Sequence, residues 1–155
     1  MANPNDYHLS GTNHVGQMLK RGLRMFHPAT LALPLALLAG CDADETLRSY
    51  GGADKTWQLV ELNGAAFANT ATLTFPKKHK IAGNGPCNSF SATLDVPYPW
   101  FNVTQVVSTK MACPALAQET AFFDALSAAS ISEVLGDMMI LSNPDGLMMV
   151  FNAVD

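Results

Sequence analysis

Beyond residue 40 the chain carries one histidine, His79, and the cysteines Cys41, Cys87 and Cys113, and these set the chemistry open to it. Nucleophilic catalysis needs a Ser or Cys with a base in reach, which here would take the form of a Cys87–His79 dyad. His79, however, sits in Lys77-Lys78-His79-Lys80, a composition that reads as a solvated turn. Glu119 and Asp124 are the nearest thing to a pair of acids, but they stand five apart on an expected helix and point in different directions, so they cannot readily share a proton. Gly83, Gly85 and Pro86 lack the Lys-Ser/Thr and helix start of a phosphate loop, and turn chemistry accounts for them. Met138, Met139, Met148 and Met149 offer soft thioethers suited to Cu(I). Neighbours along a strand face opposite sides, so core packing accounts for these methionines better. Reduced Cys87 and Cys113 with Met111 would be a further copper set, lost once the cysteines are oxidised. No catalytic residue, metal site or cofactor is therefore expected.

Cys41 has a different chemistry. Leu38-Ala39-Gly40-Cys41 closes an apolar run that begins near Ala29 and follows Lys20, Arg21 and Arg24. A basic region, a short apolar stretch and small residues before a cysteine resemble the bacterial signal at which the thiol is acylated and the preceding segment removed. The run from 29 to 39 is about 11 residues and contains Pro34, whereas a bilayer span needs about 20 apolar residues. Residues 1–17 precede the basic region without periodic pattern and read as a non-native upstream extension, with translation starting at Met18. Residues 18–40 are then the signal peptide. Cys41 becomes the lipidated N-terminus of an envelope protein facing the periplasm, and Asp42 after it resembles a signal for inner-membrane retention.

Removing residues 1–40 leaves about 115 residues, one domain's worth. Its side-chain charge is about −6, and without a basic stripe nucleic acid is excluded as a partner. A monomer is expected. Residues 41–54 are acidic, then Gly- and Ser-containing, and read as a flexible tether; residues 55–155 form the domain. With Cys41 lipidated, Cys87 and Cys113 remain as a pair in an oxidising space, and a disulfide is the economical reading, with two separately buried thiols as the alternative. Such a bond closes a loop of about 26 residues, contributing on the order of 3–4 kcal/mol in the loop-entropy model.

The elements that position these residues read mostly as strands. Trp57 and Leu59 share one face, as do Ala71, Leu73 and Phe75 before Pro76 ends that strand; Ile81 marks a third. Phe90, Ala92, Leu94 and Val96 alternate with polar residues on a fourth strand, and a fifth spans Phe101 to Val107 after Pro97 and Pro99 interrupt the ladder. From Pro114 the spacing changes to a helix over about 114–129 with Leu116, Thr120, Phe123 and Leu126 on one face. Met138 to Leu141 and Leu147 to Phe151 are strands joined by the turn Asn143-Pro144-Asp145-Gly146. About seven strands and one helix imply an α+β domain, a small antiparallel, barrel-like curled sheet whose helix covers an open end or face.

These residues also carry a family resemblance. Trp57-Gln58-Leu59, Asn63-Gly64, Thr72-Leu73-Thr74-Phe75, Gly83-Asn84-Gly85-Pro86-Cys87-Asn88-Ser89-Phe90 and Thr109-Lys110-Met111-Ala112-Cys113, followed by Glu119 and Phe122, resemble the META domain of HslJ-like heat-shock lipoproteins. Two positions depart from the pattern: Pro86 stands where the family usually has Gly, and Ala92-Thr93-Leu94 replaces Gly-x-Tyr. The resemblance implies a structural role for Cys87 and Cys113 and no established catalytic chemistry. It also implies links to heat-shock induction, antibiotic tolerance and, in protozoan relatives, virulence and secretion. Two functions follow as expectations. One is a non-catalytic envelope lipoprotein acting in envelope stress or antibiotic tolerance through an unknown partner or ligand. The other is a periplasmic inhibitor of a hydrolase such as lysozyme or a protease, presenting Tyr98-Pro99-Trp100.

Overall fold

A computed structural model describes residues 43–154; the extension, the signal segment and Cys41 with Asp42 lie outside the described residues. Among the described residues nine strands form one antiparallel sheet, curled but not closed. They are β1 (Thr56–Leu62), β2 (Ala65–Ala66), β3 (Thr72–Lys77), β4 (Lys80–Asn84), β5 (Ser89–Leu94), β6 (Val103–Ser108), β7 (Ile131–Leu135), β8 (Met138–Ser142) and β9 (Met148–Val154), with helix α1 (Leu116–Ala128) between β6 and β7. The spatial order is β6-β5-β4-β3-β1-β9-β8-β7, with β2 paired to β1. The inward residues of alternate positions, Trp57 and Leu59, Leu73 and Phe75, Phe90 and Leu94, Met139 and Leu141, Met149 and Phe151, fill one core.

The registers place every connection at one of two ends. Lys77 pairs with Lys80, Leu94 with Val103, Leu135 with Met138 and Thr56 with Val154, so the β3–β4, β5–β6 and β7–β8 connections share an end with the start of β1. Asn84 pairs with Ser89 and Ser142 with Met148, placing the β4–β5 and β8–β9 connections at the other end. Five to seven residues of strand separate the two ends by about 20 Å.

Several expectations are corrected. Two strands beyond the expected seven are β2 and β7. β2 is a two-residue strand closed by Asn63 and Gly64, both at positive φ as a tight hairpin turn demands. β7 hides its alternation because Ser132, a polar residue, occupies a fully buried inner position, its hydroxyl donating to the Pro99 carbonyl. Pro76 does not end β3 but lies within it, where the register shifts between Thr74 and Lys77 and no ladder donor is needed. The buried face of α1 is Glu119, Phe122, Ala125 and Leu126 rather than the face of Leu116 and Thr120. An acid at the centre of that face is what disguises it. Gly83 serves no turn: it lies in β4, and a Cβ there would overlap the Thr72 carbonyl of β3.

The stretch read as a flexible tether is packed onto the domain over much of its length. A 3-10 turn at Leu47–Tyr50 buries Leu47 completely, Arg48 donates to the Phe75 carbonyl, and Tyr98 N–H donates to the Glu45 carbonyl. This segment plugs the open end of the barrel. Leu47→Ala is therefore expected to cost about 2–5 kcal/mol in urea unfolding, where a tether residue would cost nothing measurable.

Candidate functional site

At the opposite end, α1 lies across the β4–β5 connection, and Glu119 points from the helix into the fold. Its Oε2 accepts the backbone N–H groups of Cys87 at 2.9 Å and Asn88 at 2.7 Å, while Oε1 accepts the Asn88 amide nitrogen at 2.6 Å. Asn88 uses the rest of its capacity on the segment after β6. Its Nδ2 also donates to the Met111 carbonyl, and its Oδ1 accepts from the Thr109 hydroxyl at 2.8 Å and the Met111 N–H at 2.7 Å. Two donors and two acceptors are all satisfied, which fixes the orientation of the amide. Among the described residues no buried side-chain nitrogen or oxygen lacks a partner.

Local sequence explains the geometry. The Gly85 position has no room for a side chain, since a Cβ would sit 2.8 Å from Glu119 Oε2. Gly85 N–H donates to the Asn88 carbonyl, closing the turn in which Pro86 stands. Both backbone donors to the carboxylate come from Cys87 and Asn88, so proline at 86 removes no hydrogen bond that Glu119 uses. Cys87 and Cys113 form a disulfide, their Cα atoms 5.9 Å apart, which ties the same turn to the start of α1. Burial, the strongest single influence on Glu119, pushes its carboxyl up; the Asn88 amide and the two backbone donors together outweigh it and hold the group below its ordinary value.

The other sequence candidates fall apart as chemical sites. With Cys87 in a disulfide it is no nucleophile for a His79 dyad, and His79 Nδ1 instead faces the Leu94 carbonyl and the Asp95 carboxylate. The disulfide also removes the Cys87, Cys113 and Met111 copper set. Met139 and Met149 are fully buried in the core, whereas Met138 and Met148 point outward, opposite Asn152 and Ser142 at the two ends of the β8–β9 ladder. Among the described residues no group of three His, Cys, Asp or Glu side chains converges. The Tyr98-Pro99-Trp100 loop crosses the edge of β7, with Trp100 bridging Ile131 and 58% exposed, and Tyr98 stacked on Tyr50.

Sequence reasoning noted Glu119 and Asn88 within a motif but not that they are one site. Its signal was a glutamate whose nearest acid, Asp124, stands five positions away and which lies three before Phe122, the helical spacing of a shared face. Val107, 67% exposed, and Met111, 60% exposed, stand beside the site with the exposed Thr109 and Lys110 between them, and the Met111 backbone is clamped on both sides by Asn88.

The family profile of the META domain matches residues 51–155. The NMR structure of a protein from Burkholderia xenovorans is similar in fold, with TM-score 0.58 at 20% identity, covering 83% of this chain and 97% of that one. A crystal structure of a DUF4847-family protein from Bacteroides vulgatus is also similar, with TM-score 0.55 at 13% identity over 68% and 96% of the two chains. At such identities the likeness concerns the fold. No curated protein matches the chain.

Glu119→Gln keeps the side chain's size but loses its charge and sets an amide against backbone donors, so it is expected to cost about 2–4 kcal/mol. The carboxyl's folded value is lowered, so its contribution is present above the unfolded value near 4.5 and is lost as pH falls through the folded one. Melting temperatures from pH 7 down to 3 should fall more steeply in the native protein than in Glu119→Gln. Parallel curves would contradict this role.

Proposed function

Because the chain belongs to the META-domain family, we propose that it is a non-catalytic, lipid-anchored envelope protein that works by holding a rigid surface against a protein partner. The supporting observation is the use of buried polar chemistry. Glu119, Asn88 and the disulfide spend every donor and acceptor on shaping the backbone around Met111, and leave none aimed at a substrate. A catalytic carboxylate is expected to sit in a cleft with its charged form destabilised or a reacting group in reach. Glu119 is instead fully engaged by backbone and amide donors. Outward from this frame stand the apolar side chains of Val107, Met111 and Leu116, with Thr109 and Lys110 among them. Acylation of Cys41 would hold the domain at the periplasmic side of a membrane, the inner one if Asp42 acts as a retention signal. The role in envelope stress or antibiotic tolerance belongs to this reading.

A second reading, inhibition of a hydrolase such as lysozyme or a protease, is favoured by the exposure of Trp100 on a loop pinned to β7 by the Pro99 carbonyl, which accepts from both Ser132 N–H and its hydroxyl. An exposed anchoring aromatic on a fixed loop is the usual form of such a contact.

Affinity capture of the lipidated protein from stressed cells separates the two. A partner retained by the native chain and lost with Val107→Asp and Met111→Asp, at unchanged melting temperature, is the expected result. The same proteins on both baits would overturn the assigned surface. Full activity of lysozyme and envelope proteases in the presence of excess native protein is expected on the first reading; inhibition relieved by Trp100→Ala would replace it with the second.

A further inference from the structure

The end of the barrel opposite the Glu119 site carries an arrangement that the partner-binding reading does not use. Arg48, Lys55, Lys77, Lys78 and Lys80 all lie there, and among the described residues only Lys110 lies elsewhere. Asp44 pairs with Arg48, Asp137 with Lys55, and Asp95 faces His79. Lys77 and Lys80 have no carboxylate partner among the described residues; Lys80 donates to the Thr93 hydroxyl. Glu45 and Asp54 lie at this pole as well, so its five cations stand among five carboxylates, while Glu61 and Asp145 lie toward the far end.

Exposed apolar groups stand at the same pole. Leu135, at the tip of the β7–β8 hairpin, is 75% exposed, and Tyr50 is about half exposed where it stacks on Tyr98. Tyr98, Glu133, Leu135 and Met138 line one depression, and a cleft of about 340 Å³ beside it brings Ala43, Glu45, Lys78, His79, Asp95 and Pro97 together. Lys78 donates to the Ala43 carbonyl at 3.0 Å. Ala43 is two residues from Cys41, so covalent geometry keeps their Cα atoms within about 7 Å. A lipid on Cys41 would therefore enter its bilayer next to this pole and no other.

We propose that this pole is a phospholipid-contact face. Lys77 and Lys80 meet anionic headgroups, Leu135 and Tyr50 enter the interfacial layer, and the domain stands upright with the Met111 surface about 20 Å or more from the bilayer. The chemistry fits a membrane interface, where cations, an amphipathic aromatic and a protruding aliphatic tip are each favoured at headgroup depth. Trp100, beside Ile131 at the opposite end of β7 from Leu135, stays outside the contact. The inference rests on acylation of Cys41.

The test uses the lipidated full-gene product, purified from membranes and placed in protein-free nanodiscs of phosphatidylcholine with phosphatidylglycerol. Lysine acetylation is followed by mass spectrometry, which also reads the mass of the Cys41 peptide. Lys77 and Lys80 are expected to react about five-fold or more slowly in the discs than in detergent, with Lys110 unchanged and the protection lost in high salt. Lys77→Gln with Lys80→Gln should weaken docking roughly five-fold per lysine, read as returning reactivity at Lys55. Equal reactivity in discs and detergent with Cys41 acylated would overturn this inference alone. An unacylated Cys41 would overturn the anchoring reading and this one with it. Protection that appears only in native membranes, and not in protein-free discs, assigns the face to a protein and overturns it as well.

Discussion

A single buried carboxylate organises one end of the domain. Glu119 is the meeting point of three chain segments that the sequence keeps far apart: α1, the β4–β5 connection, and, through Asn88, the stretch after β6. Burying an ionised group is costly unless its lone pairs are answered, and here two backbone donors and an amide answer them. Removing one partner would leave the others desolvated and unpaired, so the cluster is stable as a whole and fragile in its parts. The Cys87–Cys113 disulfide encloses the same turn, so covalent and polar restraints act on one place.

The two ends of the barrel are closed by different means. Polar groups and a disulfide fix one end, where a segment with outward apolar side chains is held rigid without being buried. The other end is plugged by Leu47 and the turn around it, apolar burial that leaves the lysine-rich hairpin tip and Leu135 outside. Polar clamping and apolar plugging thus occupy opposite ends of the fold.

Much of the fold was legible in the residues. The alternation of Phe90, Ala92 and Leu94, the Asn143–Gly146 turn and the helix after Pro114 appear as read, because each rests on local pattern or turn chemistry. Two failures share one cause: a polar residue turned inward. Ser132 concealed β7, and Glu119 concealed the true face of α1, since periodicity assigns polar side chains to solvent. Leu47 escaped notice for the converse reason, a lone apolar residue in an acidic stretch whose burial depends on a distant strand end. The site was harder still, because the contacts between Glu119 and Asn88 and between Asn88 and Met111 join residues 31 and 23 apart. No spacing rule reports such contacts; the residues were visible only as motif letters.

Amide hydrogen exchange at Met111 tests the central claim most directly. A residue whose side chain is mostly in water ordinarily exchanges its amide by local motion. If Asn88, held by Glu119, clamps this backbone, the Met111 amide will exchange only with global unfolding, at the rate of core amides such as that of Leu59. Exchange at the rate of an unrestrained loop, in a protein whose core amides remain protected, would contradict the account.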